Sequence, residues 1–146
     1  MNIAMNEQDP QEVTPERINR IVAETWPAAR CVCVEAGPAH AVASLTPAAS
    51  DLRPGGYISG PTLFATADAA LWFLCFGASG RIEPLALTAD LTIRFLRPAQ
   101  GDTVWARADL NKAGGRSIVG TVTVWTESFD APCAVAQGTY VRPRKA

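Results

Sequence analysis

Residues 53–81 read RPGGYISGPTLFATADAALWFLCFGASGR, and between the two terminal arginines stands a single charge, Asp68. From Thr62 to Phe76 the run is apolar nearly all round a helical wheel, through Leu63, Phe64, Ala67, Leu71, Trp72, Leu74 and Cys75. That pattern predicts a helix buried on most sides. Ser59 stands where it can cap the helix, with Gly60 and Pro61 in the first turn, where a missing proline N–H costs nothing. We expect one long helix over about 60–77, stopping at Gly77 or Gly80. An ionised carboxylate inside such a helix is costly unless it is paired or used, so Asp68 is the residue that any functional reading must explain. A membrane span is the competing reading of this stretch. The apolar run is shorter than the roughly 20 residues a bilayer needs and is centred on a carboxylate, which favours a core helix and no membrane.

Working upstream, 47–56 (PAASDLRPGG) is a loop by composition. Residues 30–46 read as two short strands about the Gly37-Pro38 turn, with His40, the chain's one histidine, in or near it. Thr14-Pro15-Glu16 marks the start of an amphipathic helix with Ile18, Ile21, Val22 and Trp26 on one stripe, closing at Pro27. Residues 1–12 are polar and expected to be disordered, leaving 13–146 as a single domain. Downstream, four extended segments at about 85–96, 103–111, 117–127 and 133–141 are separated by turn-forming clusters and are expected to form an antiparallel meander. The predicted fold is α+β: an antiparallel sheet of about six strands wrapped around one long buried helix.

Composition narrows the function classes. Of 146 residues, 48% are hydrophobic and 18% charged, with a net charge of −1. The basic residues are scattered, so the footprint of a nucleic-acid binder is missing. The first residues lack the basic and apolar regions of a secretory signal, and a cytoplasmic location is expected. Cys31, Cys33, Cys75 and Cys133 form no C-x-x-C pair or Cys/His cluster; no metal site is expected, and all four are read as buried small hydrophobes. A lone turn histidine such as His40 is ordinarily a solvated residue.

Four blocks, SGPTLFATADAA (59–70), LALTADLTIRFLRPAQGD (85–102), GGR (114–116) and AQGTYVRP (136–143), follow in this order. Together with the element order they resemble the hotdog fold, and more closely the PaaI-like acyl-CoA thioesterases of phenylacetate degradation. The resemblance spans roughly residues 52–141. It implies that Asp68 is the nucleophile or the base for water, that the Gly60 N–H polarises the thioester carbonyl, and that Thr88 assists the acid. It also implies a homo-oligomer, at least a dimer and by expectation a tetramer of two dimers, acting on coenzyme A thioesters with no further cofactor. Three positions depart from the family pattern: Ser59 replaces its usual histidine, Pro61 its second glycine, and Arg53 an asparagine six residues before the histidine position.

Elementary chemistry makes the same demands. A helix start offers free N–H groups and a positive dipole end to a developing oxyanion. Gly60 and Asp68 are eight residues apart, about 12 Å along one helix, so they cannot both reach one carbonyl. Each site must therefore take Gly60 from one chain and Asp68 from another. Simple alternation puts Thr88 with Asp90, Thr92 and Arg94, opposite Leu91, Ile93 and Phe95, so a bulge or the subunit boundary would have to bring it to Asp68. Ser59, Pro61 and Arg53 flank the expected site as substrate-binding candidates. Arg97, Arg116 and Lys112 are candidates for the coenzyme A phosphates. The expected activity is hydrolysis of a small or medium acyl-CoA or an aryl-CoA. A hotdog dehydratase would need a histidine near the helix start, which this chain lacks. The alternative from another class is a non-catalytic acyl-CoA or acyl-ligand binding protein.

Overall fold

The computed structural model describes residues 12–144. Its elements are α1 (Pro15–Thr25), β1 (Val32–Ala36), β2 (His40–Leu45), a 3-10 turn (Ala49–Asp51), α2 (Gly60–Ser79), β3 (Leu87–Phe95), β4 (Val104–Ala113), β5 (Ser117–Trp125) and β6 (Ala134–Val141). Of the start expected to be disordered, all but Glu12 lies outside the described residues. Thr14 caps α1, its Oγ1 accepting from the Arg17 N–H. Ser59 caps α2, and Gly80 ends it in the left-handed conformation, φ 71°, which glycine adopts at little cost. The helix therefore runs two residues beyond Gly77.

All six strands form one antiparallel sheet in the order β1-β2-β4-β5-β6-β3. This corrects the expected four-strand meander. Only β4, β5 and β6 follow one another; β3 lies at the far edge beside β6, and β4 returns to pair with β2. The cause is α2. Its 20 residues span about 30 Å, enough to carry the chain from β2 across strands about 4.8 Å apart to the opposite edge.

Within the sheet's curve α2 buries Leu63, Ala67, Ala70, Leu71, Phe73, Leu74, Cys75 and Phe76. Gly120 and Gly138 face each other on β5 and β6. A Cβ on either would stand 2.8 to 3.0 Å from Leu71, and one on Gly120 also 2.9 Å from Leu74, so the helix rests on bare backbone there. At its far end, a Cβ on Gly77 would lie 2.0 Å from the Gly37 carbonyl oxygen, which locks the helix onto the β1–β2 turn. Among the described helices α2 alone is long and apolar enough to cross a membrane, and most of it is buried against the sheet.

The two sheet edges differ. On β1, Asn19 of α1 imitates a neighbouring strand: its Nδ2 donates to the Cys33 carbonyl (2.9 Å) and its Oδ1 accepts from the Cys33 N–H (2.8 Å). The β3 edge has no such cover among the described residues and exposes Leu87 and Phe95, with Leu85 and Leu96 beside its ends. The cysteines need one correction: Cys33, Cys75 and Cys133 are buried as expected, but Cys31 is only half-buried.

Candidate active site

Asp68 projects from the middle of α2, half-buried, into a cavity of about 550 Å³. Its Oδ1 accepts two hydrogen bonds, from Thr88 Oγ1 (2.7 Å) and from the Tyr140 hydroxyl (3.0 Å). Its Oδ2 has no partner among the described residues. Thr88 and Tyr140 are direct cross-strand neighbours on β3 and β6, so two adjacent strands hold one oxygen and leave the other unbonded. Burial first, and then the Asp68 charge, push the Tyr140 phenol well above its ordinary range. It stays protonated and remains a donor.

Thr88 reaches Asp68 because the β3–β6 register shifts between Thr88 and Asp90. The extra residue turns Thr88 out of simple alternation. Phe95 keeps the helix-facing side expected of it, opposite buried Ala134, but is 55% exposed there, and its ring lies where a Cβ on Gly60 would come within 3.2 Å.

At the start of α2 the backbone donors are few. Thr62 N–H and Leu63 N–H both donate to the Ser59 carbonyl (3.1 and 3.2 Å), and Pro61 has no N–H. The Gly60 N–H has no partner among the described residues, which leaves it as the free donor at the positive end of the helix. Asp51, which the sequence reading did not single out, fixes this turn. Its backbone carbonyl accepts from Ser59 N–H (2.8 Å) and its carboxylate from Thr62 Oγ1 (2.8 Å) and Ala48 N–H (2.7 Å). Arg30 closes the network with a two-pronged ion pair, Nη1 to Oδ1 at 2.9 Å. These bonds, the Arg30 pair foremost, hold the Asp51 carboxyl well below the usual carboxylate range. Gly60 and Asp68 remain eight residues apart on α2, about 12 Å along its axis.

Of the expected site residues, Asp68 and Thr88 meet at the cavity; Gly60, Ser59 and Pro61 stand together at the helix start and do not line it. Arg53 is exposed in the turn before the helix. Arg97 Nε donates to the Pro132 carbonyl (2.9 Å), and Arg116 Nε to the Arg142 carbonyl (3.1 Å), both away from the cavity. Lys112 is exposed on β4. His40 opens β2 and pairs with Glu35 (3.0 Å). Trp72 lines the cavity while Phe76 is wholly in the core. Cys31 also lines it, and burial pushes its thiol up to about 11. Among the described residues no cluster of side chains could hold a metal ion.

A six-stranded antiparallel sheet curled around one central helix is the hotdog fold. The family model of the Thioesterase superfamily matches residues 55–133, more than half of the chain. The chain belongs to the Thioesterase superfamily, and it is an enzyme of the thioester hydrolase class. No curated protein matches it. Among solved structures it is similar to a candidate thioesterase from Silicibacter sp. TM1040, 28% identical, covering 94% of this chain and 97% of that one at a TM-score of 0.78. PaaI of the E. coli phenylacetic acid degradation operon is 23% identical over 90% of both chains, TM-score 0.69. A variant of PaaI from Thermus thermophilus is 24% identical over 80% of this chain and 96% of that one, TM-score 0.66. At those identities the two PaaI structures speak for the fold alone.

Proposed function

We propose that this thioesterase hydrolyses a small or medium acyl-CoA or an aryl-CoA, as a dimer whose two sites lie at the subunit boundary. One observation carries the reading: Asp68 lines a largely apolar cavity and is tethered through Oδ1 by Thr88 and Tyr140, while Oδ2 has no partner among the described residues. That oxygen can attack the thioester carbon, giving an acyl-enzyme anhydride and coenzyme A thiolate that water then resolves. It can instead take a proton from water as the water attacks. Either path ends in a free carboxylate and coenzyme A.

The β3 edge supports the assembly. At one end β3 sets Thr88 on Asp68, and at the other it sets Phe95 against Gly60. Antiparallel pairing of this edge with the β3 of a second copy, about a two-fold axis near Leu91, brings the Gly60 end of one chain beside the Asp68 end of the other. The exposed leucines and Phe95 are the apolar surface such pairing would cover.

Turnover of short-chain, medium-chain and aromatic acyl-CoAs, followed by release of free thiol, tests the reading. Asp68→Asn should lower kcat by at least about a hundredfold while binding survives. Protein that binds acyl-CoA but never hydrolyses it would instead be the non-catalytic binding module.

A further inference from the structure

We propose that Trp26 sets the length of acyl chain that the cavity accepts, an inference that rests on the acyl-CoA reading of the Asp68 site. The cavity reaches from Asp68, Thr88 and Tyr140 at its polar end to Trp72, Phe73 and Trp26 at its apolar end. Trp72 stands one helical turn, about 6 Å, beyond Asp68, and the indole of Trp26 lies a further 6.0 Å from that of Trp72, edge-on at 68°. An acyl chain whose carbonyl sits at Asp68 therefore runs along Trp72 and meets Trp26 next.

Trp26 is the wall rather than the floor of this space. It caps α1 outside the regular helix and is 56% exposed, so it faces the cavity on one side and solvent on the other. Trp72, 7% exposed, and Phe73, 1% exposed, are backed by the core and cannot yield. Val22 and Ile18, buried one and two turns earlier, carry the attachment of α1, so the indole of Trp26 can be removed without unseating the helix. Its removal opens the apolar end of the cavity to solvent, where additional methylenes lie on Trp72 and Ala29 instead of being turned away.

The test uses S-butyl-, S-octyl- and S-dodecyl-coenzyme A, thioethers that bind but cannot be hydrolysed, with wild type, Trp26→Ala and Trp26→Phe. Each methylene newly accommodated is worth about fourfold in affinity. Trp26→Ala should bind the dodecyl thioether about tenfold or more tighter than wild type does, with butyl binding changed by less than about twofold, and Trp26→Phe should fall between. Equal changes at all three lengths, no change at any length, or no binding of any thioether by wild type overturns the proposal. Length-dependent thioether binding without hydrolysis of any acyl-CoA would uphold the role of Trp26 and sink the proposed hydrolysis, so the two readings fail separately.

Discussion

Thr88 Oγ1 stands 2.7 Å from Asp68 Oδ1, and one irregular residue step in β3 puts it there. Without the register shift, the hydroxyl would sit with the exposed side chains of Asp90, Thr92 and Arg94 on the face turned from the helix. The bulge spends one rung of the sheet ladder to aim a donor at the acid.

Thr88→Val should therefore lower kcat by about tenfold to a hundredfold, since a donor to a charged acceptor is worth about 1.5–3 kcal/mol. Thr88→Ser should keep most of the rate. Both variants should unfold within about 1 kcal/mol of wild type in urea, because the site is on an exposed edge strand. A rate unchanged in Thr88→Val would mean that Thr88 only packs.

Tyr140 offers a second donor to the same oxygen, and its behaviour with pH is distinctive. Burial and the Asp68 charge hold the phenol above its ordinary range, so its proton stays in place where an exposed tyrosine begins to ionise, near pH 10. Tyr140→Phe should reduce kcat by about tenfold and leave the shape of the rate–pH profile unchanged up to about pH 10. A falling limb between pH 8 and 10 that is present in wild type and missing in Tyr140→Phe would contradict this assignment.

The contrast between Thr88 and Tyr140 marks what the sequence can carry. The α2 segment was legible throughout, cap, proline, apolar faces and lone acid, because its determinants are local. Strand existence was legible too, from turn residues and alternation. The placement of β3 at the far edge was not, since pairing partners are chosen by where a helix of about 30 Å delivers the chain, a tertiary fact. Tyr140 was passed over because an aromatic on a β-strand reads as core; the signal available was that a buried phenol needs a partner for its hydroxyl, and Asp68 was the one carboxylate on the buried helix. Asp51 was hidden for a similar reason: nothing in PAASDLRPGG announces that its aspartate will be buried beneath Arg30.

That buried network predicts an acid-sensitive contribution to stability. Asp51 has its carboxyl lowered in the folded protein, so the stability it supplies is complete above the unfolded carboxylate range, near pH 4, and is lost as pH falls from there toward its folded value. Asp51→Asn leaves Arg30 without its anionic partner and should cost about 2–3 kcal/mol at pH 7. Urea unfolding at a series of pH values should show the gap between wild type and Asp51→Asn closing below about pH 4. A gap independent of pH would assign the loss to packing.

Gly60 provides the sharpest test of a shared site, because its N–H bonds to nothing among the described residues of its own chain. Gly60→Pro deletes that donor at the first helical position, where proline is well tolerated, and the preceding Ser59, at ψ 151°, already has the extended backbone proline requires. The variant should fold yet lose about a hundredfold to a thousandfold in kcat, the cost of one oxyanion donor. Gly60→Ala keeps the N–H and need only displace the exposed ring of Phe95, so it should retain most activity. If Gly60 of one chain serves Asp68 of another, Gly60→Pro and Asp68→Asn are each nearly inactive alone but complement when mixed. Random re-pairing of equal amounts makes half the dimers mixed, each with one intact site, which restores about a quarter of wild-type activity. Mixed dimers that form but regain no activity would place Gly60 and Asp68 in separate functions.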